Sequence, residues 1–95
     1  MTIAILGTFD SKGPEHAFIA AAIRRGGFSP LLIDVGSLDA PTITPDITRA
    51  EVLAALNSPE AAAILARRDR GECVTLMGRA AASLVTSLHG ASRIH

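Results

Sequence analysis

The chain has 95 residues, of which 48% are apolar and 19% charged, and its nine basic residues balance nine acidic ones. This length and composition predict one small globular domain and exclude a disordered chain. Zero net charge and the absence of Trp and Tyr argue against a nucleic-acid-binding surface. No apolar run approaches the roughly 20 residues that span a bilayer, and a single cysteine, Cys73, fits a reducing compartment. We therefore expect a cytoplasmic protein without membrane or nucleic-acid partners.

The first third of the chain alternates between strand and helix patterns. Residues 3–6 form a continuous apolar run, which is typical of a strand covered on both faces in a parallel sheet. Residues 15–25 carry apolar positions on one helical face and end in two arginines, which two glycines follow, with Pro14 at a favoured first position. Residues 30–36 repeat the strand pattern, so the order predicts a right-handed parallel crossover.

The middle of the chain begins with residues 37–47, which contain prolines and lack periodicity, so we expect an extended surface loop. Thr48 and Glu51 then have the spacing of a capping box. Ile47 and Val52 are placed as its hydrophobic staple. A short helix is predicted to follow, ending near residue 56.

Two further helices are predicted after this point. Ser58 is the expected cap of the first and Pro59 its first residue, with Ile64 and Leu65 as core candidates. Gly71 is expected to separate it from a long amphipathic helix that ends near residues 89–90. The apolar stripe of that helix is predicted to comprise Val74, Met77, Ala81, Leu84 and Leu88. Residues 91–95 are interpreted as a connection.

The number of strands is too small for an open sheet. Two strands predicted to be buried need further strands beside them, and in a β-α-β alternation a third strand should follow the final connection. The sequence therefore predicts an α/β fragment with a Rossmann-like or flavodoxin-like parallel sheet. It consists of β-α-β followed by two or three helices, stops before the third strand, and makes residues 1–95 the N-terminal part of one domain.

A glycine-bounded loop lies between the first strand and the first helix, and it reads Gly7, Thr8, Phe9, Asp10, Ser11, Lys12, Gly13. Its spacing is neither a Walker loop nor a G-x-G-x-x-G fingerprint. Backbone N–H groups and the helix dipole nevertheless favour an anion at such a turn, and Lys12 is the only lysine. Asp10 is a candidate Mg²⁺ ligand or a helix cap. Phosphate binding and a plain strand–helix turn both stay open here.

Asp34 ends the second predicted strand, where a carboxylate can accept from a ribose hydroxyl. The alternative is that it caps the following turn through Gly36 or Ser37. His16 and Cys73 are interpreted as structural, and no zinc site or catalytic constellation can be assembled from the remaining residues.

Four segments resemble the Tm-one-like ATP-binding family, whose members are mostly bacterial and fungal proteins of unknown function. They are residues 5–13, 32–36, 45–47 and 69–72, and the likeness runs in register along nearly the whole chain. Ser11 stands where that family has threonine, and the family continues into a third strand and a glycine- and serine-rich loop. The resemblance implies a doubly wound fold that binds ATP, with Thr8, Asp10, Ser11 and Lys12 matching the family's first loop.

The leading hypothesis from sequence is thus a nucleotide-binding module with ATP, and Mg²⁺ at Asp10, as cofactors. The candidate binding residues are Gly7, Thr8, Phe9, Asp10, Ser11, Lys12, Gly13, Asp34 and Gly36. One alternative is an interaction fragment that forms a homo-oligomer or pairs with the rest of a longer protein. Another is a part of a phosphotransferase or nucleotide hydrolase.

Overall fold

The chain forms a two-stranded parallel sheet with helices packed on both faces. The computed structural model describes residues 1–36, 39–56 and 59–95. Strands β1 (Thr2–Gly7) and β2 (Ser29–Asp34) are joined by helix α1 (Gly13–Arg25). Three helices follow, namely α2 (Arg49–Leu56), α3 (Ala61–Ala66) and α4 (Arg70–Gly90). The predicted α/β fragment, β-α-β followed by helices, is confirmed.

The two strands pair in register from Thr2 opposite Ser29 to Gly7 opposite Asp34. The other edge of β2 is also occupied, because Ile47 forms a parallel bridge with Ile33. The Asp34 N–H donates to the Ile47 carbonyl, and the Ile47 N–H donates to the Leu32 carbonyl, both at 3.0 Å. The prediction that residues 37–47 form only a surface loop is therefore wrong at the end of this segment. So short a pairing leaves no periodic pattern in the sequence that could have predicted it.

Two hydrophobic clusters lie on opposite faces of the sheet. Adjacent β2 residues divide between them, because successive side chains of a strand point to opposite sides. Leu32 packs with Ile5, Phe9 and Ala20 beneath α1. Ile33 belongs to the larger cluster, formed with α2, α4 and the C-terminal residues, whose buried members are Ile33, Ile47, Val52, Met77, Ala80, Leu88 and Ile94.

The start of α2 agrees with its sequence pattern. The Glu51 N–H donates to Thr48 Oγ1 and the Thr48 N–H donates to Glu51 Oε1, both at 3.2 Å, so the predicted capping box is confirmed. Ile47 and Val52 lie in the same buried cluster, as expected for a hydrophobic staple.

The predicted start of α3 and its core residues differ from the structure. Ser58, the predicted cap, lies outside the described residues. The helix begins at Ala61, two residues after Pro59. Ala61 is buried, whereas Ile64 and Leu65 are only half-buried, because adjacent helical residues lie about 100° apart and cannot both point straight at the core.

Helix α4 begins one residue before Gly71, which was predicted to separate it from α3. Asp69 makes this start possible, because its side chain accepts from the Glu72 N–H at 2.8 Å. The buried face is also shifted from the predicted stripe: Val74 is 59% exposed. The buried positions are Cys73, Leu76, Met77, Ala80 and Leu88. The predicted end of the helix, near residues 89–90, is confirmed.

Candidate functional site

The loop after β1 is a tight turn closed on the carbonyl of Thr8. That oxygen accepts from the Ser11 N–H at 3.2 Å and from the Lys12 N–H at 2.8 Å. The Thr8 and Ser11 hydroxyl oxygens lie 3.1 Å apart. Two N–H groups that a bound anion would need are therefore already used inside the turn. Lys12 occupies the N-cap position of α1 and its side chain is exposed.

Phe9, predicted to be a binding residue, lies in the hydrophobic core and is completely buried. Its ring contacts the His16 ring, with centroids 5.2 Å apart and an interplanar angle of 50°. His16 Nδ1 is 2.7 Å from the Lys12 carbonyl oxygen, so the histidine is tied to the loop. A methyl group at Gly7 would meet the same ring, since a Cβ there would lie 2.0 Å from His16 Nε2. Gly7 is thus required for close packing of α1 onto β1.

The segment that follows β2 packs over this loop. The Thr42 hydroxyl donates to the Phe9 carbonyl at 2.7 Å, and the Thr42 N–H donates to the same oxygen at 2.9 Å. Gly13 lies directly beneath the Thr42 hydroxyl. Asp10 Oδ2 accepts from the Asp39 N–H at 3.3 Å. The Asp10 carboxylate therefore holds the two loops together, which is a structural contact that neither sequence alternative included.

Asp34 and Arg49 form the charged centre of the site. Asp34 is 1% exposed and is the buried charged residue of the described core. Its Oδ1 accepts from the Gly36 N–H at 2.9 Å, and its Oδ2 accepts from Arg49 Nε at 3.0 Å. The predicted alternative in which Asp34 caps its own turn is therefore present in the structure.

Arg49 was missed by the sequence reasoning. Its only sequence signal is its place directly after Thr48, at the first position of a capped helix. Arg49 Nη2 is buried and has no hydrogen-bond partner among the described residues. Beside the pair lies a concavity of about 370 Å³. It is lined by Asp34, Asp39, Ala40, Pro41, Pro45, Thr48, Arg49 and Ala50.

Three of the predicted residues, Asp10, Asp34 and Gly36, are thus brought together at the carboxyl ends of the strands, whereas Phe9 points into the core and the Lys12 side chain is exposed. Asp10 and Arg49 both lie close to Gly36, since a Cβ added at Gly36 would be 2.9 Å from both Asp10 Oδ1 and Arg49 Nη2. Within the described parts of the chain, no group of three His, Cys, Asp or Glu side chains is arranged to hold a metal ion. The assignment of these residues to cofactor or Mg²⁺ binding stays a prediction.

A second concavity, of about 390 Å³, lies between α3 and the first turns of α4, away from the loop. Arg67 and Glu72 form an ion pair beside it. The hydrogen bond from Arg67 to Glu72 raises the pKa of the guanidinium above its usual value. The lining residues are Ile64, Asp69, Gly71, Glu72, Thr75, Leu76 and Arg79.

The outer edge of β1 is open over most of its length. The backbone N–H and C=O groups of the odd-numbered β1 residues point toward β2, as shown by the hydrogen bond from the Val35 N–H to the Gly7 carbonyl at 2.9 Å. Because the direction of these groups alternates along a strand, the backbone groups of Thr2, Ala4 and Leu6 point away from β2. Of the described residues, only His95 meets this edge, where its N–H donates to the Thr2 carbonyl at 2.9 Å and its Nδ1 accepts from the Thr2 N–H at 3.1 Å. Leu6 is 39% exposed, which corrects the expectation of a strand covered on both faces.

Fold and site together define the chain as a parallel α/β unit whose charged loops meet at one end of the sheet. The family profile described as "Uncharacterised protein family (UPF0261) N-terminal domain" matches residues 1–95. The chain therefore belongs to the UPF0261 family.

Individual relatives agree with this assignment. A UPF0261 protein of Rhizobium meliloti (strain 1021) is 41% identical over 78 residues, which cover 82% of this chain and 19% of the relative. A UPF0261 protein of Clostridium tetani is 34% identical over 86 residues, covering 90% of this chain and 21% of the relative. A third, from Mesorhizobium japonicum, is 41% identical over 85 residues, covering 90% and 21%. The chain thus spans about a fifth of the length of these relatives. No solved structure gives a significant match.

These findings correct two predictions made from the sequence. The family that matches is UPF0261, so the assignment to the Tm-one-like ATP-binding family is wrong. The function drawn from it, an ATP- or nucleotide-binding module, is also wrong, because neither the family description nor the names of the relatives include such binding. In physical terms, the turn that suggested a phosphate site uses its Ser11 and Lys12 N–H groups internally. No helix in the described part of the chain is long and apolar enough to cross a membrane.

Proposed function

We propose that this chain is the N-terminal unit of a longer UPF0261 protein and that it pairs with the rest of that protein through the outer edge of β1. The observation that carries the proposal is the open backbone of Ala4 and Leu6. Their N–H and C=O groups point away from β2 and have no partner among the described residues. An unpaired edge of this kind is a template for another strand.

The contact between His95 and Thr2 supports a parallel partner strand. Helix α4 returns the chain to the amino end of the sheet, where His95 meets the first residue of β1. A strand that continues from this point along β1 runs in the same direction as β1, as in other α/β proteins. About four-fifths of the length of these relatives lies outside the matched region, which is ample sequence to supply that strand.

The exposed apolar surface beside this edge also supports the proposal. Leu6 is 39% exposed and Met1 is 68% exposed. In a parallel sheet both faces are normally covered, so apolar side chains at an open edge gain free energy when a neighbouring strand and its helix pack on them. A cytoplasmic location for this assembly is supported by the lone reduced cysteine, Cys73.

Amide hydrogen exchange measured by NMR tests the proposal. The 95-residue chain is compared alone and with the remaining part of the Rhizobium meliloti relative added in trans. We expect the Ala4 and Leu6 amides to exchange rapidly alone and at least roughly tenfold more slowly in the mixture, because a new strand would protect them. The Ile3 and Ile5 amides, which face β2, serve as internal controls and should exchange slowly in both samples.

Ala4→Pro sharpens this test. Proline removes an outward N–H and is tolerated on an edge strand, so β1 should still pair with β2. We expect the variant to fold, as judged by circular dichroism, and to lose the protection of Leu6 in the mixture. Val74→Ser, on the exposed side of α4, is the matched control and should behave like the unsubstituted chain. Equal exchange of Leu6 with and without the added partner would overturn the proposal.

A further inference from the structure

The outward face of α1 combines an exposed aromatic ring, a small residue and two opposite charges. Phe18 is 70% exposed, although it is one of only three phenylalanines in the chain. Glu15, Ala22 and Arg25 are also exposed. At about 100° per helical residue, these four side chains fall within roughly 80° of one another. The sheet-facing residues of α1, among them Ala20, lie on the opposite side.

The order of these residues along α1 is self-complementary. When two copies of the helix lie antiparallel, Glu15 of one copy faces Arg25 of the other at both ends of the contact. In the same alignment, Phe18 faces Ala22 of the other copy, because the pair Phe18 and Ala22 has the same midpoint along the helix as the pair Glu15 and Arg25. A large ring therefore meets a small residue twice, which permits close packing of the two helices.

We propose that a second copy of this chain docks on α1 through an antiparallel contact centred between Phe18 and Ala22. The contact is isologous, so each attractive pair occurs twice across a twofold axis. Within the described residues, neither Glu15 nor Arg25 has an ion-pair partner in its own chain. Both charges are thus available to a partner, and the Phe18 ring becomes covered by the contact. The surface is separate from the outer edge of β1, so this inference does not depend on the proposed function.

Charge exchange tests the alignment of the two helices directly. We measure the dimer dissociation constant of the 95-residue chain by sedimentation equilibrium. Arg25→Glu and Glu15→Arg each place like charges opposite one another twice, and each should raise the constant by roughly tenfold. The double variant Glu15→Arg, Arg25→Glu restores both pairs with reversed polarity and should return the constant to within about twofold of the unsubstituted chain.

Arg24→Glu is the matched control, because it makes the same change in net charge at the neighbouring position. Arg24 is exposed but lies about 120° from Phe18 around the helix, so the dissociation constant should stay unchanged. Phe18→Asp should abolish most of the association. All these side chains are exposed, and melting curves verify that each variant remains folded. Ala4→Pro, which acts on the β1 edge, should leave the dimer intact.

Three results would overturn the proposal. One is a chain that stays monomeric up to about 1 mM, the weak end of specific association. Another is a double variant that dissociates as readily as either single variant, because the two charges would then not face each other. The third is an equal effect of Arg24→Glu and Arg25→Glu, which would indicate a general charge effect.

Discussion

Asp34 at the carboxyl end of β2 binds Arg49 at the start of α2, with Asp34 Oδ2 and Arg49 Nε 3.0 Å apart. The Asp34 side chain is 1% exposed and the Arg49 side chain 23% exposed, so most of the pair is shielded from water. Asp34 also accepts from the Gly36 N–H, which fixes the turn after β2. One carboxylate therefore connects the sheet, the following turn and the next helix.

Removing the charge of Asp34 should destabilise the fold. In Asp34→Asn, Arg49 keeps its charge in a largely buried position without a counterion, and we expect the free energy of unfolding to fall by about 3 kcal/mol. Urea denaturation measures the change. The control is Asp39→Asn, whose side chain is 83% exposed and should alter stability by less than about 0.5 kcal/mol. Equal effects of the two variants would contradict the structural role given to Asp34.

Replacing both partners of the pair should be less harmful than the two single effects suggest. In Asp34→Asn with Arg49→Met, no unpaired buried charge remains, so the loss of stability should be smaller than the sum of the single losses by about 1–3 kcal/mol. The free energies of unfolding of the four chains in this double-mutant cycle, taken from the midpoints and slopes of urea denaturation, give the coupling. Additive losses would mean that the two side chains act independently.

Two glycines should respond to alanine in opposite directions. A Cβ at Gly7 would lie 2.0 Å from His16 Nε2, so Gly7→Ala should lower the free energy of unfolding by about 2 kcal/mol. Gly78 lies inside α4, where a Cβ would meet no atom of the described residues within 4 Å. Gly78→Ala should therefore raise stability by about 0.5–1 kcal/mol, because alanine favours the helix.

His16→Ala provides the check on this interpretation of Gly7. In the Gly7→Ala background it removes the ring that the new methyl group would strike, so most of the lost stability should return. If Gly7→Ala is equally destabilising with and without the His16 ring, the cause is a backbone requirement at Gly7 instead. Thermal unfolding followed by circular dichroism measures the stability of the unsubstituted chain, the two single variants and the double variant.

The strongest local patterns predicted the fold well. The two apolar runs, the glycine stop after α1 and the capping box at Thr48 each depend on neighbouring residues, and each was confirmed. The predictions were wrong where residues distant in the sequence determine the local structure. Ile47 pairs with β2 through only a few backbone bonds, and the side of α4 that faces the core depends on α2 and the sheet.

The candidate site was predictable only in part. The sequence placed Asp34 and the loop at neighbouring strand ends, because parallel strands end on the same side of a sheet. It did not reveal Arg49 as the partner of Asp34, since 15 residues and a nonperiodic segment separate them. Nor did it reveal that Phe9 would point inward, because a lone aromatic residue in a glycine-bounded loop has no periodicity to orient it.

The corrected face of α4 leads to a further prediction. Leu76 is 2% exposed, whereas Val74, which was expected in the core, is 59% exposed. Leu76→Ala should cost about 2–4 kcal/mol of the free energy of unfolding through lost burial and a residual cavity. Val74→Ala should cost less than about 0.5 kcal/mol. Urea denaturation distinguishes the two, and a larger loss at Val74 would restore the stripe predicted from the sequence.

The Asp69 cap should account for the position at which α4 begins. Asp69 Oδ1 accepts from the Glu72 N–H at 2.8 Å, and this bond satisfies one of the free donors in the first turn. Asp69→Ala should therefore lower stability by about 1 kcal/mol. Asp69→Asn keeps an acceptor oxygen in the same place and should lower stability by only about 0.3 kcal/mol, because the negative charge at the helix start is lost. Measured by urea denaturation, equal losses in the two variants would show that the charge of Asp69, and not its hydrogen bond to Glu72, stabilises α4.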